Sequence, residues 1–219
     1  MSVKFQLYGH LARIGKALAS PQRLELLELI CQGERPVEAL AREAGLSVAN
    51  ASQHLQVLLA ARLVEARREG RRVYYRLADR SVYRLWQALL RLGRQRLAEV
   101  DRLLRDYFES RDRLEPIGAR ALWKRLRQGD VVVIDCRPPE EYAAGHVPGA
   151  RSIPLPELRR RLAELSPDTE IVAYCRGPYC VMAVEALEIL HRHGFRARRM
   201  EGGFPDWREA GLPVERSPS

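Results

Sequence analysis

From Ser81 to Leu114 apolar side chains return at helical spacing, at Val82, Trp86, Leu89, Leu97, Val100, Leu104 and Tyr107, with charges between them. Read as one helix at 1.5 Å per residue, the run is roughly 50 Å long. A small domain has no core deep enough to bury such a stripe along its whole length. The segment is therefore expected to be a dimer seam, an interdomain rod, or both. Pro116 cannot continue it, which places the domain boundary at 115–118 and divides the 219 residues into domains of 1–115 and 116–219.

Before that segment the chain reads as nearly all helix. Val3 to Ala19 shows the spacing in Leu7, Leu11, Ile14 and Leu18. Ser20-Pro21 starts a second helix, with Ser20 as N-cap, that runs from Gln22 to Cys31 and ends at Gly33. Pro36 to Ala44 is a third, stopped by Gly45, and Ser47 caps a fourth that reaches Ala61. The period then changes. Leu63 to Arg68 and Arg71 to Leu77 flank Glu69-Gly70 and read as a β-hairpin.

After Pro116 strand and helix alternate. Ala119–Gln128, Pro139–Ala144, Glu157–Leu165, Cys180–His193 and Pro205–Ala210 read as helical, and Val131–Asp135, Glu170–Tyr174 and Ala197–Met200 as strands. That alternation makes the second domain α/β with a mostly parallel sheet, beside an α+β first domain. The tail Glu215–Ser219 is expected to fray.

Residues 1–115 carry 21 basic and 14 acidic side chains, and residues 116–219 carry 16 and 14. A basic excess concentrated in the helical half makes nucleic acid the first partner to consider. No apolar run is long enough to span a membrane. Met1 to Ala19 has no small-residue cleavage site, which argues against a signal peptide and for the cytoplasm.

Helices three and four, joined by Gly45-Leu46-Ser47, form a helix-turn-helix candidate. Leu55, Leu58 and Leu59 face inward on the second of them. Val48, Ala49, Asn50, Ser52, Gln53 and Gln56 remain for the major groove, where Asn and Gln side chains can bond adenine edges. The bland alternative for these side chains is a solvated face. Arg67, Arg68, Arg71 and Arg72 gather at the hairpin turn and suit phosphate or minor-groove contact. From Leu11 to Leu114 the chain resembles the ArsR family of winged-helix regulators. The likeness is carried by Ser20 through Leu27, Leu46 through Leu55, and Arg68-Glu-Gly-Arg-Arg-Val-Tyr-Tyr75. It implies a homodimer joined by the first and last helices on a pseudo-palindromic operator in double-stranded DNA. It departs from the metal-sensing members, because there is no Cys-x-Cys near the helix-turn-helix and the long segment has no His or Cys. Cys31 alone cannot supply the three or four ligands of a metal site, so it is read as a packing residue, with a redox role as the alternative; a metal sensor using Cys31 is disfavoured, and no metal or cofactor is expected.

The second candidate site is Tyr174-Cys175-Arg176-Gly177-Pro178-Tyr179-Cys180, between a strand and a helix. Backbone amides curling toward one point, with a helix dipole behind them, favour a thiolate at Cys175 and make it a nucleophile for sulfane sulfur. Gly177 is expected to supply unusual backbone angles, and Arg176 to steer an anionic donor such as thiosulfate. Together with Asp135-Cys136-Arg137, Glu140-Glu141-Tyr142, Gly145 through Ala150 and Glu201 through Trp207, the loop resembles a single rhodanese domain over Pro116–Val214. The resemblance implies a persulfide on Cys175, with Asp135, Arg137 and the turn at His146 as scaffold. The sixth residue after Cys175 is Val181 rather than Arg, which disfavours the longer loop of phosphatases and arsenate reductases. Cys180 is either a resolving thiol for Cys175 or a packing residue at the helix start. The expected function is a DNA-binding repressor that responds to sulfane sulfur or oxidant. The alternatives are a sulfurtransferase carrying a DNA-binding domain, and a regulator with an idle rhodanese domain.

Overall fold

The structure, a computed structural model, describes residues 2–111 and 115–217. The chain forms two compact units, Met1–Arg91 and Leu92–Ser219.

The first unit contains α1 (Val3–Leu18), α2 (Pro21–Cys31), β1 (Arg35–Pro36), α3 (Val37–Glu43), α4 (Val48–Ala60), β2 (Val64–Glu69), β3 (Arg72–Leu77) and the start of α5 (Arg80–Arg96). Gly45 takes φ +62° after α3, and the Ser47 hydroxyl accepts the Asn50 amide at 3.2 Å, so both expected punctuation marks of the helix-turn-helix operate. Ser20 is the N-cap of α2 and Pro21 opens the helix, but the Ser20 hydroxyl makes no capping bond and donates instead to Gln22 Oε1 at 2.9 Å. Strands β2 and β3 pair antiparallel from Val64↔Leu77 to Glu69↔Arg72, turning at Gly70 with φ +58°. Strand β1 adds a third, antiparallel strand on β3, which its two residues did not announce. Leu26, Leu27, Leu40, Leu55, Leu58, Tyr75, Val82 and Trp86 form the core.

The second unit continues through α6 (Ala98–Tyr107), a 3-10 turn (Glu109–Arg111), α7 (Ala119–Gln128), β4 (Val131–Asp135), α8 (Pro139–Ala144), β5 (Arg151–Ser152), α9 (Leu155–Leu158), β6 (Glu170–Tyr174), α10 (Val181–Arg192), β7 (Ala197–Arg199) and α11 (Phe204–Glu209). Its sheet has the order β5-β4-β6-β7, all parallel. Alternate side chains of the central strands feed two cores, Ile134, Ile171 and Ala173 on one face and Val133, Val172 and Tyr174 on the other. This is why those strands read as unbroken apolar runs.

The segment from Ser81 is not one helix. The chain turns extended at Leu97, between α5 and α6, although no proline or glycine stands there. Tertiary packing outweighs helix continuity: Leu104 and Phe108 are buried against Val184 of α10. Residues 112–114 of the expected helix lie outside the described residues. The helix expected over Glu157–Leu165 also divides, into α9 and a 3-10 turn at Leu162–Glu164, with Arg161 bonded to Ser152 O and Glu164 at the bend. The tail does not fray at its start. His146 and Glu215 exchange backbone hydrogen bonds of 2.9 and 3.0 Å, and Ser217 N–H reaches Ala143 O. No helix of the described residues is long and apolar enough to cross a membrane.

Asp135 and Arg137 form a fully buried ion pair, with Nη2 to Oδ2 at 2.6 Å and Nε to Oδ1 at 3.0 Å. Replacing Arg137 by Met strands the carboxylate and is expected to cost about 3–5 kcal/mol. Urea unfolding followed by intrinsic fluorescence in a Trp86→Phe background, which leaves Trp123 and Trp207 of this unit as reporters, measures this; a loss below about 1 kcal/mol would contradict a structural role for the pair.

Candidate functional site

On α4, Ala51, Leu55 and Leu58 turn inward and are fully buried. Val48, Ala49, Asn50, Gln53 and Gln56 are exposed and Ser52 is half-buried, so the outward arc carries the side chains expected to read DNA. Gln56 is partly committed, since its Nε2 donates to the Tyr75 hydroxyl of β3 at 3.2 Å.

The four hairpin arginines are exposed but not equivalent. Arg67 donates to both oxygens of Glu34 at 3.2 and 3.1 Å and to Glu69 at 2.6 Å, and lies over the Tyr74 ring. The hydrogen bonds it donates to Glu34, then to Glu69, raise its already high pKa and offset its charge. Arg68 reaches Gly70 O at 3.4 Å. The side chains of Arg71 and Arg72 make no hydrogen bond or ion pair among the described residues and are the open cations of the turn. The two glutamates that restrain Arg67 were not singled out from sequence. Glu34 lies 33 residues away, and only the fold brings it near.

The loop from Cys175 to Cys180 joins β6 to α10. Cys175 is fully buried and Cys180 half-buried at the N-cap of α10. The two are joined by a disulfide, with their Cα atoms 6.3 Å apart, within the ordinary range for such a bond. Three contacts hold the loop. The Phe204 amide donates to Cys175 O at 3.0 Å. Gly203 packs so closely that a methyl there would collide with the Arg176 carbonyl and the Gly177 amide. The Arg176 guanidinium donates to Glu141 Oε1 at 2.7 and 3.0 Å and to Oε2 at 3.2 Å, the Glu141 side chain being 1% exposed.

Two loop expectations change accordingly. Arg176 is neutralised by Glu141 and acts on loop shape, so it is not an open cation for a donor. Gly177 has no positive φ, and the glycine required by close approach is Gly203. The other two cysteines are core residues. Burial, and then the neighbouring Asp135, push the Cys136 thiol far up; Cys31 is buried in the first unit. His146 stacks on Tyr142 with ring centroids 3.6 Å apart and Nδ1 2.8 Å from Tyr142 O, which orders its turn as expected.

The family model for bacterial regulatory proteins of the arsR family matches residues 20–66, and that for the rhodanese-like domain matches residues 118–210. The HTH-type transcriptional regulator Rv0324 of Mycobacterium tuberculosis is 47% identical over 212 residues, spanning 97% of this chain and 93% of its own length. The chain belongs to the ArsR family of transcriptional regulators, in the form that carries a rhodanese domain. A sulfurtransferase of Allochromatium vinosum is 32% identical over 100 residues, 45% of this chain and 92% of its own. The solution structure of a homodimeric winged helix-turn-helix domain from Mycobacterium bovis, a possible ArsR-family regulator, is 44% identical, covering 45% of this chain and 92% of that domain with a TM-score of 0.43.

In this ArsR-family regulator the rhodanese match encloses Cys136, Cys175 and Cys180, of which only the last two share a loop. After reduction, alkylation at neutral pH is expected to label Cys180 first and Cys175 next, leaving Cys31 and Cys136 until denaturant is added. Peptide mapping of the labelled chain reads this out. Reaction of Cys31 or Cys136 as fast as Cys180 would contradict the assignment.

Proposed function

We propose that this regulator binds operator DNA as a homodimer, represses its target genes, and is released when sulfane sulfur or oxidant converts the Cys175 and Cys180 thiols. The observation that carries the reading is the Cys175–Cys180 bond across a single loop at the head of α10. Two cysteines bonded across one short loop suit a two-state switch better than a continuously turning nucleophile. The sulfur source is a small donor such as thiosulfate or a persulfide. The setting is cytoplasmic, where DNA and a reducing thiol pool coexist.

The DNA-contacting groups in this reading are the outward residues of α4, Val48 to Gln56, with Arg68, Arg71 and Arg72 at the wing and Arg67 held as a positioning residue. The dimer draws on α1, where Val3, Phe5, Leu7, Tyr8 and Leu11 are each more than half exposed. An apolar row of that kind needs a partner surface. The route from cysteines to DNA runs along the chain. Tyr179 of the loop packs with Phe108, ring centroids 6.4 Å apart, beside Leu104 and Val184. Helix α6 then joins α5 at Leu97, and α5 sends Val82 and Trp86 into the core of the DNA-binding unit.

A sulfurtransferase is the second reading, favoured by the likeness of the C-terminal unit to the Allochromatium protein. Titration of operator duplex with reduced chain, before and after a persulfide donor, separates the two. The donor is expected to weaken binding by about 5- to 150-fold, the usual scale of allosteric coupling. Cys175→Ser should bind as the reduced chain does and ignore the donor, and affinity should fall steeply with salt. Wild-type affinity unchanged by the donor, alongside rapid thiosulfate:cyanide turnover, would establish the enzyme instead.

A further inference from the structure

We infer that Cys180 discharges a persulfide on Cys175 as sulfide, so that the domain reduces sulfane sulfur rather than storing or passing it on. The inference rests on the proposal that Cys175 accepts sulfane sulfur, and it concerns what happens next.

Both ends of the loop are anchored independently of the bond. Cys175 directly follows the central strand β6, its carbonyl held by Phe204 N–H and the following peptide pressed on Gly203. Cys180 heads α10, whose Ala183, Val184, Ala186 and Leu187 are in the core. The 6.3 Å separation of the two Cα atoms is thus imposed by strand and helix. A direct sulfur–sulfur bond spans that gap, whereas each inserted sulfur adds a further bond of about 2 Å that the anchored ends must absorb. The site is built to close on Cys175 Sγ itself, not on an outer sulfur atom.

The chemistry balances without further reagents. The Cys175 thiolate attacks the sulfane sulfur of a persulfide R–S–SH, the donor's S–S bond breaks, and R–S⁻ leaves with the released proton. The Cys180 thiolate then attacks Cys175 Sγ. The new Sγ–Sγ bond forms as the outer S–S bond breaks, and its electron pair leaves on sulfide, which takes up the Cys180 proton. The sum is R–SSH plus two cysteine thiols giving R–SH, hydrogen sulfide and one disulfide: two thiols are oxidised and one sulfane sulfur is reduced. A dithiol reductant resets the pair by attacking Cys180, the more exposed sulfur of the disulfide.

The test uses the full-length reduced chain under anaerobic conditions, with one equivalent of glutathione persulfide. Released sulfide and intact mass are measured together, with Cys175→Ser as the donor blank. The expected result is close to one sulfide per chain and a protein mass lower by two hydrogens. Cys180→Ser, or Cys180→Ala if the serine variant folds poorly, should gain one sulfur atom and release no sulfide. A wild-type chain that keeps added sulfur and releases none overturns the inference, as does a Cys180 variant that releases as much sulfide as wild type. If wild type keeps the sulfur and operator affinity still shifts, sensing stands and only the discharge step falls. If no variant takes up sulfur and wild type releases none, the acceptor role of Cys175 falls with it.

Discussion

Arg137 donates to both oxygens of Asp135 and to Gly145 O at 2.8 Å, and its guanidinium lies 4.3 Å from the centre of the Phe204 ring. The same carboxylate accepts the Tyr174 hydroxyl at 2.6 Å, and that hydroxyl receives the Val147 amide. Burying two charges is costly, and it is tolerated here because nearly every polar atom has a partner. Burial, reinforced by Asp135, drives the Tyr174 phenol well above its ordinary pKa, so it remains a donor to the carboxylate at any physiological pH. The network touches every support of the cysteine loop. Tyr174 is the residue before Cys175, and Phe204 supplies the amide that holds Cys175 O. The Gly145 turn follows α8, which carries Glu141 to Arg176.

That rigidity gives the cysteine chemistry a direction. A thiol pair in a loose loop would accept bridges of several lengths. Here strand, helix, the glycine contact at Gly203 and the Arg176–Glu141 pair leave one short closure. The part of the loop in contact with α6 is Tyr179, which packs on Leu104 and Phe108. The regulatory proposal therefore needs no long conformational path, only a change in how α6 seats on α10.

Much of this was legible from residues alone. Ser47, Gly45 and Gly70 are local chemical instructions, and each acts where it stands in the chain. The strands β4 and β6 were evident because burial on both faces leaves an unbroken apolar run. The break at Leu97 was not, since two helices meeting at an angle can show the same apolar stripe as one rod; the distinction lies in a contact with Val184, 80 residues from Leu104 in sequence. Strands of two residues, β1 and β5, show no period at all. At the candidate sites, sequence identified the arginines but not their carboxylate partners. Arg67 and Arg176 each pair over more than 30 residues, and pairing changes what each guanidinium can do. The cysteines were identifiable by position between strand and helix, whereas their approach to bonding distance required the framework around them.

The central claim is that the state of the Cys175–Cys180 pair reaches α6. Amide hydrogen exchange, compared between the disulfide and the fully reduced chain, measures this segment by segment. The exchange of Ala98–Tyr107 is expected to change along with that of the loop. A difference confined to residues 174–181, with α6 exchanging identically in the two states, would contradict it.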